Sequence, residues 1–114
     1  MNHKKFLQQL RQLIALPSVS CTDVYLDQGN LAVIELLANW LGDMGFSCEI
    51  MPVSPNKANL SATLGQGSGG LVLAGHTDTV PCDAQLWASD PFTVSERNGK
   101  LYGLGIADMK GFFP

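Results

Sequence analysis

An unbroken apolar run at residues 71–75, Leu-Val-Leu-Ala-Gly, constrains the fold of this chain more than any other feature. The run does not alternate between apolar and polar side chains, so it predicts a central strand that is covered on both faces. Two segments with helical patterns precede it, and helices that pack on such strands are typical of an α/β fold. We therefore expect helices packed on a mixed β-sheet.

The spacing of apolar residues predicts two helices ahead of this strand. The first extends from about Lys4 to Leu16 and ends before Pro17, because a residue that precedes proline is driven out of the α region. The second begins near Asp27 as its N-cap, and Gly45 follows its last turn. The expected buried faces consist of Phe6, Leu7, Leu10, Leu13 and Ile14 in the first helix, and Leu31, Ile34, Leu37, Ala38, Leu41 and Met44 in the second.

Shorter patterns predict strands after the second helix. Apolar and polar residues alternate over 46–51, which is typical of a half-buried strand, and 60–64 indicates another. Residues 93–96 and 100–102 flank Asn98-Gly99, a favoured type I′ hairpin turn. The sequence therefore predicts a hairpin close to its C-terminal end.

Composition excludes several classes of partner and compartment. The formal net charge is −3, so we expect neither nucleic acid nor a membrane surface as a partner. Three cysteines, Cys21, Cys48 and Cys82, are odd in number and widely spaced, which predicts free thiols in a reducing compartment. No apolar stretch has the roughly 20 residues of a membrane span, and the first twelve residues lack the apolar core of a signal peptide. We expect one small cytoplasmic domain.

The first candidate site follows the apolar run directly, at His76-Thr77-Asp78. In open α/β sheets, functional groups gather at the carboxyl ends of strands. In an extended chain His76 and Asp78 point to the same side, where the carboxylate can orient the imidazole of a metal-binding histidine. The alternative is a histidine at a strand end and an aspartate that begins a turn, and this short motif does not decide between them.

The second candidate site is Asp108, which follows the glycines Gly103 and Gly105. A carboxylate has two oxygens, so one aspartate can bridge two metal ions that lie roughly 3.5–4 Å apart. The alternative makes Asp108 a helix N-cap and leaves Lys110 solvated. The two glycines do not form a dinucleotide-binding motif, because a third glycine at the required spacing is missing.

Together, these motifs identify a family: the chain resembles the co-catalytic zinc amidohydrolases and exopeptidases. The strongest segments are LAGHTDTVP at 73–81 and ADMKGFF at 107–113, which place His76 and Asp108 32 positions apart. The resemblance covers almost the whole chain. Its other segments are Trp87, 90–93 and 99–105, with weaker similarity at 16–20, 26–28 and 45–46.

The resemblance implies a role for each site residue. His76 is expected to bind one metal ion, and Asp108 is expected to bridge two. Asp78, the expected catalytic residue, orients His76. The peptide bond between Asp108 and Met109 is expected to be cis, while Lys110 is expected to be a surface charge, or a charge near the site, without a ligand role.

The resemblance also implies a reaction and its cofactors. Two divalent metal ions, Zn²⁺ or Co²⁺, would support hydrolysis of the acetyl amide of N2-acetyl-L-ornithine, a small acylated amino acid, in arginine biosynthesis. A glutamate would act as the general base. A family desuccinylase that acts on succinyl-diaminopimelate shares the same two motifs, and it or another amidohydrolase or peptidase of the family is the alternative.

The resemblance implies that residues 1–114 are the N-terminal part of a metallohydrolase catalytic domain. The glutamate pair, the later metal ligands and the lid domain of the family have no counterpart here, and the second histidine, His3, lies in the first predicted helix. We therefore expect the chain alone to lack activity. A noncatalytic gene remnant is the other alternative, and the family's homodimer, which is built through the lid domain, is not expected to transfer to this chain.

Overall fold

The computed structural model describes residues 2–114 and confirms the α/β class. Two helices are followed by two hairpins, each of two antiparallel strands; one short 3-10 turn lies between the hairpins, and another follows the second hairpin. The elements are α1 (His3–Ile14), α2 (Leu31–Asp43), β1 (Ser47–Ser54), β2 (Lys57–Thr63), β3 (Ser95–Arg97) and β4 (Lys100–Tyr102), with the 3-10 turns at Ala84–Leu86 and Lys110–Phe112. In the described part of the chain, no helix is long and apolar enough to cross a membrane.

Helix α1 lies close to its predicted position, but the predicted start of α2 is wrong. The side chain of Asn2 caps α1 by accepting a hydrogen bond from the Lys4 amide at 2.9 Å. Helix α2 begins at Leu31 and is flanked by Asn30, not Asp27. The Asp27 carboxylate instead accepts the amide of Cys21 at 2.9 Å and pairs with Lys57 Nζ at 2.7 Å. Because the Asp27 carboxylate is engaged by the Cys21 amide and by Lys57, it does not cap α2.

Several predicted turns are confirmed. Gly45 follows α2 with φ of +90°, a conformation that glycine adopts without steric cost. Strands β1 and β2 pair from Ser47–Thr63 to Ser54–Lys57. Between β3 and β4, Asn98 has φ of 53° and Gly99 has φ of 69°, the two positive values that a type I′ turn requires.

The central strand expected at 71–75 is not present in the described structure. Residues 71–75 belong to neither hairpin, and the side chains of Leu71, Val72 and Leu73 are 83%, 89% and 71% exposed. A strand needs a neighbouring strand that accepts and donates its backbone hydrogen bonds, and the described residues place none beside this segment. In place of one mixed sheet, the structure has the two hairpins and a parallel bridge between Val19 and Thr79.

The core lies between the two helices and extends toward the first hairpin. Its buried centre is formed by Leu13 of α1 with Val33 and Leu37 of α2. Partly buried neighbours pack around it: Leu16, Leu36, Trp40, Leu60 and Phe113. Phe113 brings the C-terminal segment onto this core, so the segment that carries Asp108 lies against the end of α1.

Candidate metal centre

His76 and Asp108 meet although 32 positions separate them in the chain. The Nε2 atom of His76 lies 3.0 Å from Oδ1 of Asp108. The two side chains are 46% and 84% exposed, so the pair is open to solvent and to a ligand. The structure thus brings together the two residues that were expected to bind metal.

Asp78 lies on the other side of the same imidazole ring. Nδ1 of His76 is 3.2 Å from the Asp78 carboxylate and 3.2 Å from its backbone carbonyl oxygen. When Nδ1 carries a proton, the Nδ1–H group donates a hydrogen bond to Asp78, and the lone pair on Nε2 then faces Asp108. This is the arrangement by which a carboxylate fixes the tautomer of a metal-binding histidine.

The electrostatics of the pair favour a cation. Partial desolvation lowers the pKa of His76, but the hydrogen bond to Asp108, the contact with the Asp78 backbone and the charges of both aspartates outweigh it. The net pKa of His76 is therefore raised above its usual 6.5. Two carboxylates beside an imidazole stabilise a positive charge there, whether a proton or a metal ion supplies that charge.

The pair fits one side of a metal centre. Imidazole nitrogen and carboxylate oxygen are common ligands of Zn²⁺, and two ligand atoms on one zinc ion lie roughly 3–3.5 Å apart. The separation of 3.0 Å between His76 Nε2 and Asp108 Oδ1 lies at the lower end of that range. Within residues 2–114, no group of three or more His, Cys, Asp or Glu side chains is arranged to hold a metal ion. Two protein ligands are one fewer than a catalytic zinc site normally uses.

Residues 16–20 hold the His76 segment in place, a role that the sequence did not reveal. Ser18 Oγ donates a buried hydrogen bond of 2.6 Å to the carbonyl of Thr77, between the two site residues. The Thr79 amide donates to the Ser18 carbonyl at 3.0 Å, and the Ser20 amide donates to the Thr79 carbonyl at 2.9 Å. The weak similarity at 16–20 was the only sequence signal for this contact.

Asn30 is a second residue that sequence reasoning missed. Its Nδ2 group donates to Thr77 Oγ1 and to the carbonyl of Ala58, both at 3.0 Å. Its Oδ1 atom accepts the Ala58 amide at 2.9 Å. Asn30 therefore ties β2 to the His76 segment. An asparagine just ahead of a helical pattern was the available signal, but it suggests a cap, whereas this side chain makes longer-range contacts.

The expectation that Lys110 is a surface charge is wrong. It is 1% exposed, and its ammonium group donates hydrogen bonds to the carbonyls of Leu13 at 3.2 Å and Leu16 at 2.6 Å. Burial lowers the pKa of Lys110 to about 8. Asp108 is not a helix N-cap, because Met109 occupies that position ahead of the 3-10 turn. The peptide bond between Asp108 and Met109 is cis, as the resemblance implies.

Comparison with known proteins agrees with the fold and with the motifs. Residues 72–113 match the model of peptidase family M20/M25/M40. The chain is 63% identical over 110 residues to acetylornithine deacetylase from Proteus mirabilis (strain HI4320), covering 95% of this chain and 28% of that protein. It is 57% identical over 115 residues to acetylornithine deacetylase from Pectobacterium carotovorum subsp. carotovorum (strain PC1), covering 99% of this chain and 30% of that protein.

A solved structure shows the same fold. The crystal structure of human carnosine dipeptidase 1 superposes with a TM-score of 0.80 at 27% identity, covering 96% of this chain and 26% of that chain. The chain thus spans less than a third of the length of each of these proteins.

Proposed function

Because this chain is similar over nearly its whole length to acetylornithine deacetylases, and its residues 72–113 match the model of peptidase family M20/M25/M40, we propose that it is the N-terminal part of a metal-dependent amide hydrolase. In this proposal residues 1–114 supply one wall of the metal centre of a catalytic domain. The proposed protein acts in the cytoplasm, in arginine biosynthesis, on a small acylated amino acid.

The observation that carries the proposal is the convergence of His76 Nε2 and Asp108 Oδ1 at 3.0 Å, with Asp78 on the opposite ring nitrogen. His76 would hold one metal ion, and Asp108 would bridge two. Asp78 would accept a hydrogen bond from Nδ1–H and so keep the Nε2 lone pair directed at the metal site. Two divalent ions, zinc or cobalt, would polarise the amide carbonyl and lower the pKa of a water molecule toward neutrality.

The proposed reaction is hydrolysis of N2-acetyl-L-ornithine. Water adds to the acetyl carbonyl, the carbon–nitrogen bond breaks, and the amine leaves with a proton as ornithine while acetate is released. Within residues 2–114, the three glutamates Glu35, Glu49 and Glu96 lie exposed on α2, β1 and β3 and form no hydrogen bond with the site. The general base therefore has to be a residue other than these three glutamates, and we expect no turnover by this chain alone.

A chimeric enzyme tests this function. The matching 110 residues of the Proteus mirabilis enzyme are replaced by this chain, and hydrolysis of N2-acetyl-L-ornithine is measured with added zinc or cobalt. We expect turnover, and a loss of at least about 100-fold in kcat for His76→Ala and for Asp108→Ala because each removes a ligand. Asp43→Ala, an exposed change at the end of α2, should leave kcat unchanged. A folded chimera without turnover, or one whose turnover survives His76→Ala, contradicts the proposal.

The substrate is tested on the natural protein. It is isolated from its source with an antibody against residues 2–114, and its intact mass and its activity on two substrates are measured. Faster hydrolysis of N2-acetyl-L-ornithine than of N-succinyl-diaminopimelate supports the proposal. The reverse preference would favour the desuccinylase, and a species of 12.2 kDa without activity would favour a noncatalytic remnant.

A further inference from the structure

Lys110 has an unusual position for a charged side chain so close to a candidate metal ligand. It follows Asp108 by two residues but points away from it, into the protein, where it is 1% exposed. A buried ammonium group is costly unless its hydrogen bonds are satisfied. Here it donates to the carbonyls of Leu13 and Leu16, at 3.2 Å and 2.6 Å.

The two carbonyls lie at the end of α1: Leu13 is in its last turn, and Leu16 follows the C-cap residue Ala15. The last carbonyls of a helix have no partner within the helix, and a cation there also meets the negative end of the helix dipole. Leu16 is followed by Pro17, just beyond the last turn. Within residues 2–114 no backbone amide donates to the Leu16 carbonyl, whereas the Leu13 carbonyl also accepts the Leu16 amide at 3.3 Å. Lys110 therefore satisfies one carbonyl that the backbone leaves open and adds a donor to the other, and these two hydrogen bonds fix its position.

The segment between Gly105 and Gly111 connects the buried Lys110 to Asp108. The Lys110 amide donates to the Gly105 carbonyl at 2.8 Å, and the Gly111 amide donates to the Ile106 carbonyl at 3.1 Å. These bonds close a tight turn that contains Asp108. The Asp108 side chain is 84% exposed, and within residues 2–114 its hydrogen-bond partner is His76. The Asp108 side chain is therefore positioned by the turn rather than by packing of its own.

Both halves of the candidate metal centre are attached to the same short segment, residues 16–20. Leu16 accepts the hydrogen bond from Lys110, which holds the Asp108 turn. Ser18 donates to Thr77 and accepts from Thr79, which holds the His76 segment. Resting on the proposed metal function, we propose that Lys110 is a positioning residue that sets the separation of Asp108 from His76 by anchoring the Asp108 turn to the end of α1.

The test measures cobalt binding to the chain, because the visible absorption of bound Co²⁺ reports its ligands and geometry. Lys110→Met keeps the volume and removes the donors. We expect a loss of at least tenfold in Co²⁺ affinity and an altered spectrum in the folded variant, checked by circular dichroism. Val33→Ala destabilises the core without touching these hydrogen bonds, and should keep the spectrum and affinity of the unmodified chain. Unchanged Co²⁺ affinity and spectrum in folded Lys110→Met would overturn the proposal.

Chemical rescue separates positioning from packing. Lys110→Ala removes the atoms of a propylammonium ion, so added propylammonium should restore Co²⁺ affinity at least threefold while 1-propanol should not. Equal effects of the two additives would overturn the role of the charge. A separate result would contradict the proposed metal function: His76→Ala would bind Co²⁺ as well as the unmodified chain does, whatever Lys110→Met shows.

Discussion

The side chain of Ser18 donates a 2.6 Å hydrogen bond to the backbone carbonyl of Thr77, 59 positions later in the chain. Thr77 lies between His76 and Asp78, so this bond fixes the backbone from which both site residues extend. Both partners are almost fully buried, with Ser18 2% and Thr77 8% exposed. A buried carbonyl that loses its donor costs about 1–3 kcal/mol.

Ser18→Ala should therefore lower the free energy of unfolding by about 1–3 kcal/mol. Urea unfolding followed by circular dichroism measures the change. Ser20→Ala is the matched control, because Ser20 is exposed and contributes only its backbone amide to the Thr79 contact. The control should unfold as the unmodified chain does. Equal stability of the two variants would show that the Ser18 hydroxyl does not support the site.

Asp78→Ala should weaken Zn²⁺ binding by about 10–100-fold, the usual cost of removing the partner that orients a metal-binding histidine. The unmodified chain is expected to bind Zn²⁺ with micromolar or weaker affinity, because His76 and Asp108 provide two ligands instead of three. Titration calorimetry measures both values, with Asp43→Ala as a carboxylate control at the exposed end of α2. Nanomolar binding by the chain, or unchanged binding in Asp78→Ala, contradicts this account.

Two glycine substitutions should change stability in opposite directions. Gly105 has φ of +83°, and a Cβ atom there would lie 2.6 Å from Thr79 Cγ2, so Gly105→Ala should destabilise the chain by more than about 1 kcal/mol. Gly42 lies in α2 with nothing within 4 Å of such an atom, so Gly42→Ala should stabilise by about 0.4–1 kcal/mol. Thermal unfolding of both variants gives the signs. A stabilised Gly105→Ala would mean that the turn does not contact the Thr79 segment closely.

The Asp27–Lys57 pair should make stability depend on pH. The hydrogen bond from Lys57, then the bond from the Cys21 amide, hold the pKa of Asp27 below 3.8. A depressed carboxyl pKa stabilises the folded state above the pKa of the unfolded chain, and this stabilisation is lost as the pH falls through the folded pKa. Asp27→Asn should therefore unfold more easily than the unmodified chain at pH 7, and the difference should shrink below about pH 4. A difference that is the same at both pH values would exclude the ion pair as its cause.

Sequence patterns predicted the features that depend on near neighbours. The cap at Gly45 and the turn at Asn98-Gly99 require positive φ, and glycine or asparagine marks such positions locally. The spacing of His76 and Asp78 allowed a carboxylate–imidazole contact but left a strand-end histidine and a turn aspartate as the alternative, and the structure places the Asp78 carboxylate 3.2 Å from Nδ1 of His76. The meeting of His76 with Asp108 was expected only through the family resemblance, because no local pattern connects residues 32 positions apart.

The tertiary structure decided the features that depend on distant parts of the chain. The apolar run at 71–75 predicts a strand that is covered on both faces. A strand forms only beside a partner strand, however, and none of the described residues pairs with this segment. Lys110 looks like a solvated charge in the sequence and is buried because the end of α1 offers it two carbonyls. Sequence motifs were enough to name the candidate site residues and the local turns around them. How these residues are held could not be read from the motifs, because the hydrogen bonds from Ser18, Asn30 and Lys110 join segments whose proximity depends on the packed core.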